Sequence, residues 1–164
     1  VTKPTSYAPR HPRARTLTRM NDALQPYVTA IDHVGVAVAD LDAAIASYRD
    51  NFGLEATHIE VNEEQGVREA MLHPRGDETG TAVQLLAPLT PDSTIGKFLD
   101  TKGPGLQQLA YRVTDVEETS AALRANGLRL LYPEAKRGTA GSRVNFVHPK
   151  DAGGVLVELV EPAQ

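Results

Sequence analysis

The sequence predicts an α+β fold in which two tandem βαβββ modules build curved mixed sheets. The first observation behind this is an internal repeat. Residues 31–54 (IDHVGVAVADLDAAIASYRDNFGL) and 106–128 (LQQLAYRVTDVEETSAALRANGL) read as one unit written twice. An offset of 75 sets His33 over Gln108, Asp40 over Asp115 and Leu41 over Val116. A one-residue slip, to 74, sets Gly53 over Gly127 and Gln84-Leu85-Leu86-Ala87-Pro88 over Glu158-Leu159-Val160-Glu161-Pro162. One long period marks a duplicated module, not a solenoid. The second observation is that each copy switches from strand-like alternation to helical spacing and back. The third is size: neither half could bury much core alone, so the copies must pack together or exchange partners in a dimer.

Taken in order, Ile31–Val38 alternates, with Val34, Val36 and Val38 on one face and His33, Gly35 and Ala37 on the other. Asp40 is placed to cap a helix in which Leu41, Ile45, Tyr48 and Phe52 recur at helical spacing, with Gly53 as its left-handed stop. Strands are predicted near 54–62, 67–73 and 81–87, then a bridging helix over Ser93–Lys102 ended by Gly103-Pro104-Gly105. The second copy predicts a strand over Leu106–Val113, a helix over Val116–Asn126 capped by Asp115, and strands near 128–132, 142–148 and 154–160. The expected organisation is a disordered N-terminal extension over 1–28 and one domain over 29–164, with module one at 29–90, the bridging helix within 91–104 and module two at 105–164.

Composition narrows the class. The 164 residues are 41% hydrophobic and 23% charged, ordinary for a soluble globular protein. No apolar run approaches a membrane span, so no membrane partner is expected. With no cysteine, disulfides and thiolate metal sites are excluded, which suits the cytoplasm. Lys3, Arg10, Arg13, Arg15 and Arg19 stand in the first 19 residues without an acid, so the remainder is more acidic than the net −4 of the chain. An acidic body argues against nucleic-acid binding. The proline- and arginine-rich leader reads as a flexible tail, or sequence ahead of a start at Met20, before it reads as a transit peptide.

Four polar residues carry the functional signal: His33, Gln84, Gln108 and Glu158. Alone, each glutamine has an ordinary structural reading, and a lone strand histidine is more often a hydrogen-bonded core residue. Glu158 inside VLVEL is different, because a buried carboxylate wants a cation. Small neighbours, Gly35 and Ala37 beside His33 and Ala110 beside Gln108, leave space around the polar groups. Since the repeat sets all four at equivalent places, a divalent metal site is expected. One imidazole, two amides and one carboxylate suit Co²⁺, Mn²⁺, Zn²⁺ or Mg²⁺. With a single histidine the set is not the two-His-one-carboxylate triad of iron oxygenases. Glu69, sharing a strand face with Met71, is a candidate base whose alternative is a surface pairing with Arg68 or another cation.

The duplicated unit, with one candidate ligand on the first and last strand of each copy, resembles the vicinal-oxygen-chelate superfamily with its glyoxalase-like fold. The strings NEEQGVREAML, VQLLAPLTPDSTIGKFL and LLYPEAKRGTAGSRVNFVHPKDAGGVLVELVEP, with the segment 31–54, resemble the methylmalonyl-CoA epimerase family within it, over nearly all of 30–162. The resemblance implies metal-dependent interconversion of (2R)- and (2S)-methylmalonyl-CoA through a stabilised enolate. It implies His33, Gln84, Gln108 and Glu158 as ligands of a divalent ion, Co²⁺ foremost, Glu69 as a proton-transfer base, and a cytoplasmic homodimer. The second base is left open between Glu158, a metal-bound water and an unidentified residue. One position departs: Gln107-Gln108 stands where many members carry a His-His pair, which implies weaker binding and a shift toward harder ions. Lys136, Arg137 and Arg143 around the Gly138–Gly141 loop are candidates for the CoA phosphates or the carboxylate, with Lys97 and Lys102 as second candidates. The competing readings are a glyoxalase-type isomerase or lyase and a metal-free binding or resistance protein of the same fold.

Overall fold

The structure, a computed structural model, describes residues 27–164. The disordered extension expected over 1–28 lies outside the described residues except at its end, where Val28 already pairs with Val113. The elements are β1 (Val28–Ala37), α1 (Leu41–Phe52), β2 (Leu54–Asn62), β3 (Val67–Pro74), β4 (Ala82–Pro88), α2 (Thr94–Lys102), β5 (Gly105–Val113), α3 (Val116–Ala125), β6 (Lys136–Arg137), β7 (Arg143–Val147) and β8 (Val157–Glu161). The helices start where the sequence marks them. Asp40 accepts the Ala43 N–H at 3.0 Å, Asp115 that of Glu118 at 2.8 Å, and Ser93 that of Gly96 at 3.1 Å. Gly53 ends α1 at φ 68°, where a side chain would be penalised, and its N–H reaches Arg49 O at 3.0 Å.

All eight strands join one curled sheet in the order β2-β3-β4-β1-β5-β8-β7-β6. β1 runs parallel to β4, β5 parallel to β8, and β1 antiparallel to β5. The order is symmetrical about the β1–β5 seam, so the two copies meet within one chain by strand pairing rather than as separate facing sheets. The convex face carries α1 and α3. Leu41, Ala70, Leu72, Leu85 and Ala87 pack with Ile45 and Tyr48 under α1, and Val113, Val116, Val147, Val157 and Leu159 pack with Leu123 under α3. α2 covers part of the other face, where Ile95 and Phe98 meet Ala37, Val67 and Leu86.

Module two departs from its copy and from expectation at three places. The strand expected over 128–132 is absent: only Leu130 makes a bridge, to Val147. Around that bridge the Leu131 N–H donates to Phe146 O and the His148 N–H to Arg129 O, both at 2.8 Å. The pairing stops at Tyr132, whose N–H is accepted by the Asn145 side chain at 3.2 Å and whose O accepts from it at 3.1 Å. β6, unannounced by the sequence, spans two residues at the position that β2 holds in module one. β8 begins at Val157 rather than 154, because the preceding turn carries Gly153 and Gly154 at positive φ. Leu85 is fully buried at the centre of the α1 core. Leu85→Ala is expected to lower unfolding stability by about 3 kcal/mol, read by urea titration.

Candidate active site

Strand alternation brings the polar candidates together in two rows on the concave face. In the first row Gly35 of β1 lies between Gln84 of β4 and Gln108 of β5. In the second, Ala110 of β5 lies between His33 of β1 and Glu158 of β8. Each row has a small residue at its middle, and the flanking side chains occupy the space. A Cβ on Gly35 would stand 2.5 Å from Gln108 Cγ, so glycine is what lets the glutamine in.

All four polar residues are buried, and they touch. His33 Nε2 lies 3.1 Å from Glu158 Oε2 and 3.5 Å from Gln108 Nε2. Gln108 Nε2 also donates to Gln84 Oε1 at 3.2 Å and to Glu158 Oε2. Behind the imidazole, His33 Nδ1 lies 2.9 Å from Asp32 Oδ1, and Arg112 Nε donates to Asp32 Oδ2 at 2.7 Å. With the Nδ1 proton given to Asp32, the Nε2 lone pair points into the cluster. Burial by itself depresses the imidazole pKa, but the hydrogen bonds to Asp32 and Glu158 outweigh it and push it up to about 9. A proton and a divalent ion compete for that lone pair.

The donor set fits such an ion. No three His, Cys, Asp or Glu residues converge among the described residues, so a metal here depends on the two glutamines. Gln84 already presents Oε1 to the cluster, because its Nε2 is held by Glu69 at 2.9 Å and by Thr139 Oγ1 at 2.8 Å. Gln108 needs only a half-turn of its amide to do the same. One nitrogen and three oxygens then face one point, a borderline-to-hard set.

Glu69 sits directly beside this cluster, on β3, 1% exposed. Its Oε2 accepts from Gln84, and its Oε1 accepts from Thr139 Oγ1 at 2.9 Å. Burial pushes its pKa up to about 7, with the Thr139 hydroxyl pulling the other way and the Glu60 and Glu158 charges adding to the rise. Arg68, the alternative partner, instead makes a surface pair with Asp42 at 2.9 Å.

Space for a ligand lies on both sides. A cavity of about 160 Å³ is lined by His33, Met71, Thr139 and Glu158 among others. A groove of about 700 Å³, lined by Phe98, Lys102, Leu106, Gln107 and Leu156, opens onto Gln108. Lys136, Arg137 and Arg143 are not brought to either. Lys136 lies 3.0 Å from Glu64, Arg137 3.9 Å from Glu60, and Arg143 2.9 Å from Glu117 and 3.3 Å from Glu161. Sequence reasoning missed Asp32, although a carboxylate next to the candidate ligand was a visible signal. It also missed Thr139, whose crossing from module two to the Glu69 carboxylate has no local signature.

Fold and site together define a duplicated βαβββ domain holding a buried His-Gln-Gln-Glu cluster with a carboxylic acid beside it. Residues 32–146 match the family model of the glyoxalase/bleomycin resistance protein/dioxygenase superfamily. The chain is similar to the crystal structure of methylmalonyl-CoA epimerase from Mycobacterium tuberculosis, at 54% identity and TM-score 0.80, over 90% of this chain and 95% of that one. A variant of Streptomyces coelicolor methylmalonyl-CoA epimerase in complex with 2-nitronate-propionyl-CoA matches at 47% identity and TM-score 0.79, over 84% and 99%. The ethylmalonyl-CoA/methylmalonyl-CoA epimerase of Cereibacter sphaeroides is 37% identical over 132 residues, 79% of this chain and 95% of that protein. The chain belongs to this superfamily and, within it, to the methylmalonyl-CoA epimerase family. No helix among the described residues is long and apolar enough to cross a membrane.

The packing at Gly35 yields a test. Gly35→Ala is expected to cost about 1–3 kcal/mol in urea unfolding, as overpacking does, and to shift the side-chain amide NMR signals of Gln108.

Proposed function

We propose that this chain interconverts (2R)- and (2S)-methylmalonyl-CoA by proton transfer at C2. The observation that carries this reading is Glu69: a buried carboxylate with a proton affinity near neutrality, hydrogen-bonded to one member of the four-donor cluster. Such a group is suited to take a proton from carbon beside a thioester. The C2–H bond breaks, its electron pair moves into the thioester carbonyl as an enolate, and Glu69 becomes the neutral acid. A proton delivered to the opposite face completes the inversion, and nothing is oxidised or reduced.

Glu158 is our choice for that opposite face. Its hydrogen bonds to His33 and Gln108 both use Oε2, and the residue lines the 160 Å³ cavity, so Oε1 is left for proton transfer. His33, Gln84, Gln108 and Glu158 would hold the divalent ion, Co²⁺ foremost and Mn²⁺, Zn²⁺ or Mg²⁺ otherwise, which when bound supplies Lewis-acid stabilisation of the developing oxyanion. Asp32 and Arg112 keep the imidazole oriented, and Thr139 keeps Glu69 facing the cluster. We assign the pantetheine arm of CoA to the 700 Å³ groove, with Lys102 at its phosphates. Lys136, Arg137 and Arg143 would have to leave their carboxylates to serve there. A homodimer in the cytoplasm belongs to the same reading.

Proton NMR of methylmalonyl-CoA in D₂O tests the proposal. Rapid C2 deuteration by the metal-loaded protein, lost on chelation, is expected; no exchange with any of the four ions contradicts it. Glu69→Gln is expected to slow deuteration by about 10²–10⁴-fold. Lys102→Ala is expected to raise KM about tenfold in steady-state epimerisation, with kcat unchanged, the size of one charge-assisted contact.

A further inference from the structure

A strap from module two lies against the β2–β3 hairpin of module one. Residues 136–142 leave β6, pass through a 3-10 turn at Thr139–Gly141 and return in β7. Several contacts tie the strap to the hairpin. Lys136 pairs with Glu64 at 3.0 Å, Gln65 Nε2 donates to Arg137 O at 3.3 Å, and the Ala140 N–H donates to Glu60 Oε2 at 3.2 Å.

Two features single out the last of these contacts. Ala140 sits at φ 54° and ψ 31°, and among the described residues it is the non-glycine residue at positive φ. An alanine is unfavourable in that region, so its surroundings hold it there. Glu60 is also an odd residue to find at this place. It lies directly across from Glu69 in the β2–β3 pairing, and its side chain is mostly buried. Its Oε2 is shared between Ala140 N–H and His58 Nε2, the latter at 2.7 Å, while Oε1 is buried with no hydrogen-bond partner. A carboxylate placed for stability alone would not leave a buried oxygen without a hydrogen bond, with the Arg137 guanidinium standing off from it at 3.9 Å. The residue before Ala140 is Thr139, whose hydroxyl touches both Glu69 and Gln84.

We infer that Glu60 is a positioning residue for the reaction: by gripping the Ala140 N–H it fixes the left-handed turn that presents the Thr139 hydroxyl to Glu69 and Gln84. The orientation of a base on module one is thereby set by a hydroxyl from module two. Glu60 does not touch substrate in this role. The inference rests on the reading of Glu69 as the base.

The test compares Glu60→Ala, Glu60→Gln and the double variant Glu60→Ala/Ala140→Gly. Glu60→Ala is expected to lower kcat about tenfold with KM little changed. Glu60→Gln keeps an acceptor oxygen for Ala140 and is expected to hold kcat within about threefold of wild type. Ala140→Gly in the Glu60→Ala background is expected to restore much of the lost rate, because glycine takes the left-handed turn unaided. Native-state hydrogen exchange supplies a reading on the unaltered protein, in which the Ala140 amide should be protected. The inference is overturned by a Glu60→Ala enzyme with wild-type kcat, by a Glu60→Gln enzyme as slow as Glu60→Ala, by a loss that glycine does not rescue, or by an unprotected Ala140 amide. An inactive wild type would instead remove the epimerase reading itself, so the two failures are distinguishable.

Discussion

The antiparallel pairing of β1 with β5 is the constraint on which everything else in this molecule depends. It fuses two βαβββ copies into one sheet and sets His33 beside Ala110 and Gly35 beside Gln108. Because the outer partners β4 and β8 are each in parallel register with these strands, the same seam draws Gln84 and Glu158 inward. A slip of one residue would turn the His33 and Gln108 side chains to the opposite face. Register here is pinned by the hydrophobic faces under α1 and α3, so the cores that stabilise the fold also place the site.

The concave face concentrates groups that a protein otherwise keeps in water: a histidine, two glutamines and two glutamates, all buried. Unpaired, such groups are strongly unfavourable in an interior. Their mutual contacts offset part of that, and a cation at their centre would offset the rest. The same crowding prepares the chemistry, since the burial that raises the proton affinity of Glu69 follows from the strap and sheet that exclude water around it. Stability and reactivity meet in the one cluster.

The repeat carried much of this arrangement into the sequence. The offset that aligns His33 with Gln108, and Gln84 with Glu158, is the linear image of the pseudo-symmetry about the seam, and Asp40 and Asp115 mark the helix starts by local chemistry alone. What local pattern could not reveal is where the copies stop being alike. Leu128–Tyr132 has the apolar content of a strand and does bond to β7 around Leu130, but the Asn145 side chain takes the N–H and O of Tyr132 and cuts the pairing short. The strap that follows makes its contacts over long range: Thr139 stands 70 residues from Glu69 and 55 from Gln84, and Ala140 stands 80 from Glu60. The cations of the Gly138–Gly141 loop illustrate the same limit. Their charge is evident in the sequence, but the carboxylates that occupy Lys136, Arg137 and Arg143 are distant in the chain.

The central claim is that side chains from both modules form one cation site. Calorimetric titration of Co²⁺ into chelator-stripped protein tests it most directly. The account predicts one ion bound per chain, with binding lost in His33→Ala from module one and equally in Glu158→Gln from module two. No binding by the wild type, or binding that survives either substitution, would contradict it.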